Sequence, residues 1–142
     1  MQVTHPSLAV MHRIFDEGFA TGNDSVVDEL CSPDLVEHQF GLAGAGPEAI
    51  AHLKAAIRDV HAAVPDMHFT IEDAVVDGDR VWVRVRGQGT NTGPFFGPPS
   101  GLPVDITVFD QARVVDGRII EHWGVPDRFA LLAQTGVIAR MS

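Results

Sequence analysis

The chain has a single cysteine, Cys31, among 142 residues. That excludes an internal disulfide framework and any thiolate metal cluster, and nothing argues for an oxidising compartment. Basic residues are scarce too: ten Lys and Arg against nineteen Asp and Glu leave a formal charge of −9, which repels phosphate backbones and anionic membrane surfaces. The one basic cluster, Arg80, Arg84 and Arg86, alternates like the exposed face of a strand. No apolar run approaches the length of a bilayer span, and MQVTHPSLAVMHRIFDEGF lacks a basic lead, a continuous apolar stretch and a small-residue cleavage site. Internal repeats and low-complexity segments are absent, as is the helical histidine pair with an intervening glutamate that marks a zinc site, so no metal is assigned. These absences lead to the expectation of an untargeted, soluble, cytoplasmic protein without nucleic-acid or membrane partners.

What is present describes one globular domain over residues 1–142, with 45% apolar and 20% charged residues. Leu8, Met11, Ile14, Phe15, Gly18 and Phe19 recur at spacings of three and four, which predicts a helix from Ser7 to Thr21, ended by Gly22. Ser25 is placed to cap a short second helix carrying Val26, Val27 and Leu30, stopping near Ser32-Pro33 before a brief extended LVEH. The glycine-rich GLAGAG then leads to Pro47, suited to a first helical turn, and Ile50, Leu53, Ile57 and Val60 mark the longest helix. GAG lacks the Lys-Ser/Thr ending and the preceding strand that a phosphate loop needs.

From Met67 onward the period changes to two. MHFTIEDAVV, RVWVRVRGQGT, LPVDITVFDQARVV and RIIEHWG read as strands, with turn chemistry at Asp77-Gly78-Asp79 and Asp116-Gly117. TNTGPFFGPPSG between two of them, with adjacent Phe95 and Phe96, is too apolar for a plain linker and reads as a cover over an opening. DRFALLAQTG closes the chain with a short helix. Helices first and strands later give an α+β domain: a curved, mostly antiparallel sheet wrapped around three to four helices, a cone with a deep, largely apolar pocket.

The chemistry turns on His122 within RIIEHWG. With a two-residue Asp116-Gly117 loop, His122 faces Gln111, Gly124 faces Phe109, and both faces of the hairpin are mixed. With a three-residue loop of Val115, Asp116 and Gly117, His122 pairs with Asp110, Ile120 with Ala112 and Gly124 with Val108. The second register separates polar from apolar, as a half-buried sheet requires, and is the expectation adopted. It sets Asp110 beside His122 facing inward, a pairing suited to a general base or proton shuttle, although such a pair can also serve only to satisfy itself in the core. Gly124 then leaves room for a ligand below the histidine. In DLVEHQF one of Glu37 and His38 must point inward, and His38 is expected to line the pocket. Asp127 is either a pocket acid or a helix cap, and His12, His52, His61 and His68 are expected on solvated positions.

The motif GxGTNTGPFFGPPSG, followed by VDITVFDQARVVDGRIIEHWGVPDRFALLAQTG, resembles the SnoaL-like polyketide and ester cyclases of the nuclear transport factor 2-like superfamily, and DLVEHQ with the helix after Gly46 fits the first half of that pattern. The resemblance implies the α+β cone, no cofactor, and ring closure by an intramolecular aldol reaction with a pocket acid moving protons. Relatives of the same architecture open epoxides, isomerise ketosteroids, assist hydroxylation or only bind. The histidine of the EHW motif is kept as His122. The carboxylate that the cyclases place two residues later is Gly124 here, which leaves Asp110, Glu37 and His38 as substitutes.

The resulting expectation is a cofactor-independent cyclase or isomerase for an apolar, carbonyl-bearing metabolite, with His122 and Asp110 catalytic and His38, Glu37, Val108, Trp123, Phe95, Phe96 and Asp127 binding. The alternatives are a non-catalytic carrier of an apolar ligand and an epoxide-opening enzyme. Apolar sheet surface beyond what one cone covers suggests a homodimer that could bury Trp82 or Trp123.

Overall fold

The computed structural model describes residues 5–141. Residues 1–4, the start of the segment read for targeting signals, lie outside them. The first predicted helix is α1, Pro6–Arg13, which widens into a π-helical segment, Ile14–Phe19, before turning at Gly22. Its apolar face buries Val10, Met11, Ile14 and Phe15. Helix α2, Val26–Leu30, follows, but Ser25 does not cap it through its side chain; that hydroxyl donates to Asn23 instead. Strand β1, Cys31–Glu37, starts directly where α2 ends and runs through Ser32-Pro33, so the extended segment is longer than LVEH. Within the glycine-rich segment, Gly44–Ala45 forms a two-residue β2 against Val36 and Glu37. Helix α3, Pro47–Ala63, carries Ala49, Leu53 and Ile57 into the core.

The long strands are β3, His68–Asp77, β4, Arg80–Thr90, β5, Pro103–Val115, and β6, Arg118–Pro126. Helices α4, Arg128–Gln134, and α5, Val137–Arg140, end the chain, the second lying beyond the predicted stop at Gly136. Among the described residues there are five α-helices, against the three to four expected. The strands form one six-stranded sheet, ordered β2-β1-β6-β5-β4-β3, curved and unclosed. All neighbours are antiparallel except β1 and β6, which run parallel. The alternation RVWVRVRG is a direct record of this half-buried sheet: Val81, Val83 and Val85 face the helices while Trp82, Arg84 and Arg86 face out.

The hairpin between β5 and β6 corrects both sequence readings. Asp116 and Gly117 form a two-residue turn with φ of +52° and +76°, the left-handed pair that a tight hairpin prefers. Val114 then faces Ile119, but a bulge at Ile120 shifts the register, so that Arg113 faces Glu121, Ala112 faces His122 and Asp110 faces Gly124. His122 thus pairs with Ala112 rather than Asp110. Because the bulge inserts one residue, parity returns to that of the three-residue loop, and His122 keeps the inward face it shares with Asp110 and Ala112.

The segment between β4 and β5 is anchored by buried Asn91, whose amide donates to the carbonyls of Ala63 and Gly93 (3.0 and 2.9 Å) and accepts from Ser100. Gly93 is where this loop meets the end of α3: a Cβ there would collide with the Ala62 carbonyl. Backbone cannot yield as a flexible side chain can, so Gly93→Ala should destabilise the protein by about 1–3 kcal/mol, read as a lower urea midpoint, whereas Gly78→Ala, with open space around it, should cost only its unfavourable φ.

Candidate functional site: a histidine between two carboxylates

The parallel pairing of β1 with β6 places Glu37 directly beside His122, and the backbone N–H of His38 donates to the His122 carbonyl at 2.9 Å. Glu37 is fully buried, and its Oε2 lies 2.6 Å from His122 Nδ1, with Oε1 at 2.8 Å. The same Oε2 accepts the His38 backbone N–H at 3.0 Å. On the other side of the ring, His122 Nε2 lies 3.4 Å from Asp110 Oδ2, an ion-pair distance longer than a good hydrogen bond. Asp110 Oδ1 is buried with no hydrogen-bond partner. The imidazole is therefore held firmly through Nδ1 and loosely through Nε2.

Burial alone would draw the proton off His122, but the adjacent Asp110 and Glu37 carboxylates outweigh it and push the imidazole pKa up to about 10. At neutral pH the ring is a cation between two acids. Nearby Cys31 is inert by the same physics: burial first, and the negative charge of Glu37 next, push its thiol up to about 12.

His122 and Asp110 open on a cavity of about 660 Å³ enclosed by the sheet, α1, the π-helical segment, α3 and α4. Its lining is mostly apolar, with Met11, Phe15, Leu53, Phe69, Ile106 and Leu131 representative. Val108, Phe95 and Phe96 are also in the wall, and Phe96 lies at the rim with 78% exposure. Four expected binding residues are elsewhere. His38 points to the opposite face of the sheet, where its Nε2 lies 2.7 Å from Glu121 and its ring stacks on Trp123 at 4.4 Å, so neither ring lines the cavity. Period-two alternation allows only one of Glu37 and His38 inside, and Glu37 takes that place. Asp127 caps α4, accepting from the Ala130 N–H at 3.0 Å. Glu37 itself stands behind His122 rather than in the cavity wall.

Gly124 corrects a further expectation. It faces Asp110, and the space its missing side chain leaves is taken by the Gln39 amide oxygen and Asp110 Oδ1, not by an opening for ligand. Gln39 and His52 line the cavity and were missed as site residues. His52 sits on α3 where helical phase suggested solvent, with its Nδ1 3.0 Å from the Leu42 carbonyl.

A curved sheet closed over helices around such a pocket is the ketosteroid isomerase-like, nuclear transport factor 2-like architecture. A Catenulispora acidiphila protein of that fold superimposes with a TM-score of 0.71 at 16% identity, over 94% of this chain and 95% of its own. The sequence profile of the SnoaL-like polyketide cyclases matches residues 9–135, and the chain belongs to that family. It is similar to IdmH, a candidate polyketide cyclase from Streptomyces antibioticus, at 34% identity and a TM-score of 0.78, covering 93% of this chain and 99% of that one. A candidate SnoaL-like polyketide cyclase from Jannaschia sp. CCS1 shares 27% identity with a TM-score of 0.79, covering 95% and 97%. No curated protein matches the chain.

The raised imidazole pKa carries a pH signature. Between the unfolded value near 6.5 and the folded value of about 10 the native state holds a proton that the unfolded chain does not. The stabilisation is complete below pH 6.5 and is lost as pH rises through 10. Melting temperature should therefore fall across that window in the wild type, and the fall should be much reduced in His122→Gln, as followed by circular dichroism.

Proposed function

We propose that the protein is a cofactor-independent enzyme that moves a proton on an apolar, carbonyl-bearing small molecule and so drives its cyclisation or isomerisation. The observation that carries this reading is the row Glu37, His122, Asp110, whose last two members face an apolar cavity of about 660 Å³. Membership of the SnoaL-like polyketide cyclase family supports it.

The roles follow from the geometry. Glu37 acts as a positioning residue, accepting the Nδ1 proton and so turning Nε2–H toward Asp110 and the cavity. Asp110 is the base, removing a proton from the carbon next to a substrate carbonyl. The released electron pair moves onto the carbonyl oxygen, where His122 Nε2–H stabilises the charge in a site with little water. The enolate carbon then attacks a second carbonyl of the same molecule, closing a ring as the new alkoxide takes the proton back from Asp110, or, where the enolate is conjugated with a double bond, Asp110 returns the proton at the far carbon, giving an isomer. In either case the proton count closes without an external reductant or oxidant.

The rival reading, a carrier of apolar ligands, draws on Gly124 standing where the cyclases hold their acid. Epoxide opening is less favoured, since Glu37 lies behind the imidazole and is not free to activate water in the cavity.

A direct test is deuterium incorporation next to the carbonyl of 1-tetralone in D2O, followed by NMR. Asp110→Asn should lower enzyme-dependent exchange by roughly 100-fold or more and, by removing one of the two acids that hold the His122 charge, should also lower the melting temperature near neutral pH. His122→Ala should also suppress exchange, but it strands Glu37 as an unpaired buried acid and should cost about 3–5 kcal/mol of stability. Exchange that survives Asp110→Asn unchanged, with ligand still bound, would favour the carrier.

We further propose a homodimer through the outer sheet face. Val75, Trp82, Phe109 and Val125 are 52–69% exposed there, and among them Gln111, cross-strand from Trp82 and Trp123, has a buried Nε2 without a partner. A two-fold copy would cover the apolar groups. Trp82→Arg combined with Phe109→Arg should convert the species seen in sedimentation velocity from dimer to monomer.

A further inference from the structure

Among the described residues, Arg128 is the sole lysine or arginine in the cavity wall. It sits at the N-terminus of α4, exposed on the rim beside Phe40, which is 84% exposed. Six other basic side chains, Arg13, Lys54, Arg58, Arg84, Arg86 and Arg113, are engaged by carboxylates. Arg128 has no acidic partner among the described residues, although the chain holds nineteen acidic residues. The other charged group on the rim, Asp59 of α3, makes no ion pair with it.

The guanidinium is nonetheless held in place. Its Nη2 donates to the Phe40 carbonyl at 2.7 Å, its Cζ lies 5.7 Å from the centre of the Phe40 ring, and it packs on Gly41, where a Cβ would come within 3.5 Å of Nη2 and 3.6 Å of Nη1. A guanidinium carries five N–H donors in a fixed fork, and one is used. The remainder form a pre-oriented donor set beside an exposed aromatic ring, at the mouth of a cavity whose polar machinery lies deeper in. Such a fork matches a carboxylate in two-point geometry. In a chain of net charge −9 an anion gains nothing from the overall field, so its recognition needs a dedicated cation.

We infer that Arg128 is an anion subsite at the cavity mouth, and that the ligand is amphipathic: an apolar body bearing the reacting carbonyl inside, with a carboxylate or comparable anion left at the rim. This rests on the proposed chemistry for the carbonyl end and adds the substrate class. Arg128 is a specificity residue and takes no part in proton transfer.

The probe pair is 6-carboxy-1-tetralone and its methyl ester, with binding measured by calorimetry and exchange next to the ketone by NMR. The wild type should bind the acid roughly tenfold or more tightly than the ester, a preference that falls with added salt. Arg128→Gln should abolish that preference by weakening the acid alone, raising its KM for exchange with kcat nearly unchanged, and Arg128→Lys should restore part of it. Equal weakening of acid and ester in Arg128→Gln would show only a strut for the 39–42 loop and overturn the inference, as would a wild type that fails to bind the acid or to prefer it. Failure of the proton-transfer reading gives a different pattern, in which the acid preference persists in binding while neither compound exchanges.

Discussion

The site depends on one buried contact, the hydrogen-bonded ion pair between Glu37 and His122. A carboxylate with no exposure and an imidazole at the back of an apolar cavity are each costly to bury alone, and burying them together is tolerable because each neutralises the other and the Glu37 oxygens also accept backbone N–H groups. The pair ties β1 to β6 at their single parallel junction, so the same contact that fixes the imidazole also fixes the sheet edge to which β2 is attached. Stability and chemical readiness are coupled here: the ring cannot be reoriented without leaving a charge stranded.

That coupling explains how this chain accommodates glycine at 124. The inward side of β6 next to His122 is filled from two neighbouring elements, by Asp110 on β5 and by Gln39 just past β1. The acid beside the histidine, Asp110, thus comes from the neighbouring strand β5. Asp110 Oδ1, buried and without a partner, is a group that stability alone does not account for.

The two faces of the sheet divide the remaining aromatic and charged residues. His38, Trp123, Glu121 and Arg113 form a connected group on the outside, with Arg113 bridging Glu121 and Asp79. Inside, Arg128, held by the Phe40 carbonyl, marks one part of the rim and Phe95 and Phe96 another, the latter carried by a loop that Asn91 pins to the end of α3. Both parts of the rim are held by side chains that donate to backbone carbonyls.

Much of this architecture was legible in the residues themselves. The change from a helical period before Met67 to a period of two after it defined the α+β order, and alternation in β4 put Arg80, Arg84 and Arg86 on its exposed face, because a side chain's burial preference is a local property that periodicity displays directly. The inward face of His122 was also reached, but through the wrong loop: two opposite register shifts of one residue preserve parity, so a bulge at Ile120 and a three-residue turn give the same face and different partners. No local signal announced that bulge. The choice between Glu37 and His38, the crossing of β1 to lie parallel with β6, and the filling of the space at Gly124 by Gln39 were decided only in three dimensions. Each depends on contacts between segments some 85 residues apart, and pairing over such a distance is set by how the whole sheet closes on its helices, which no stretch of sequence contains.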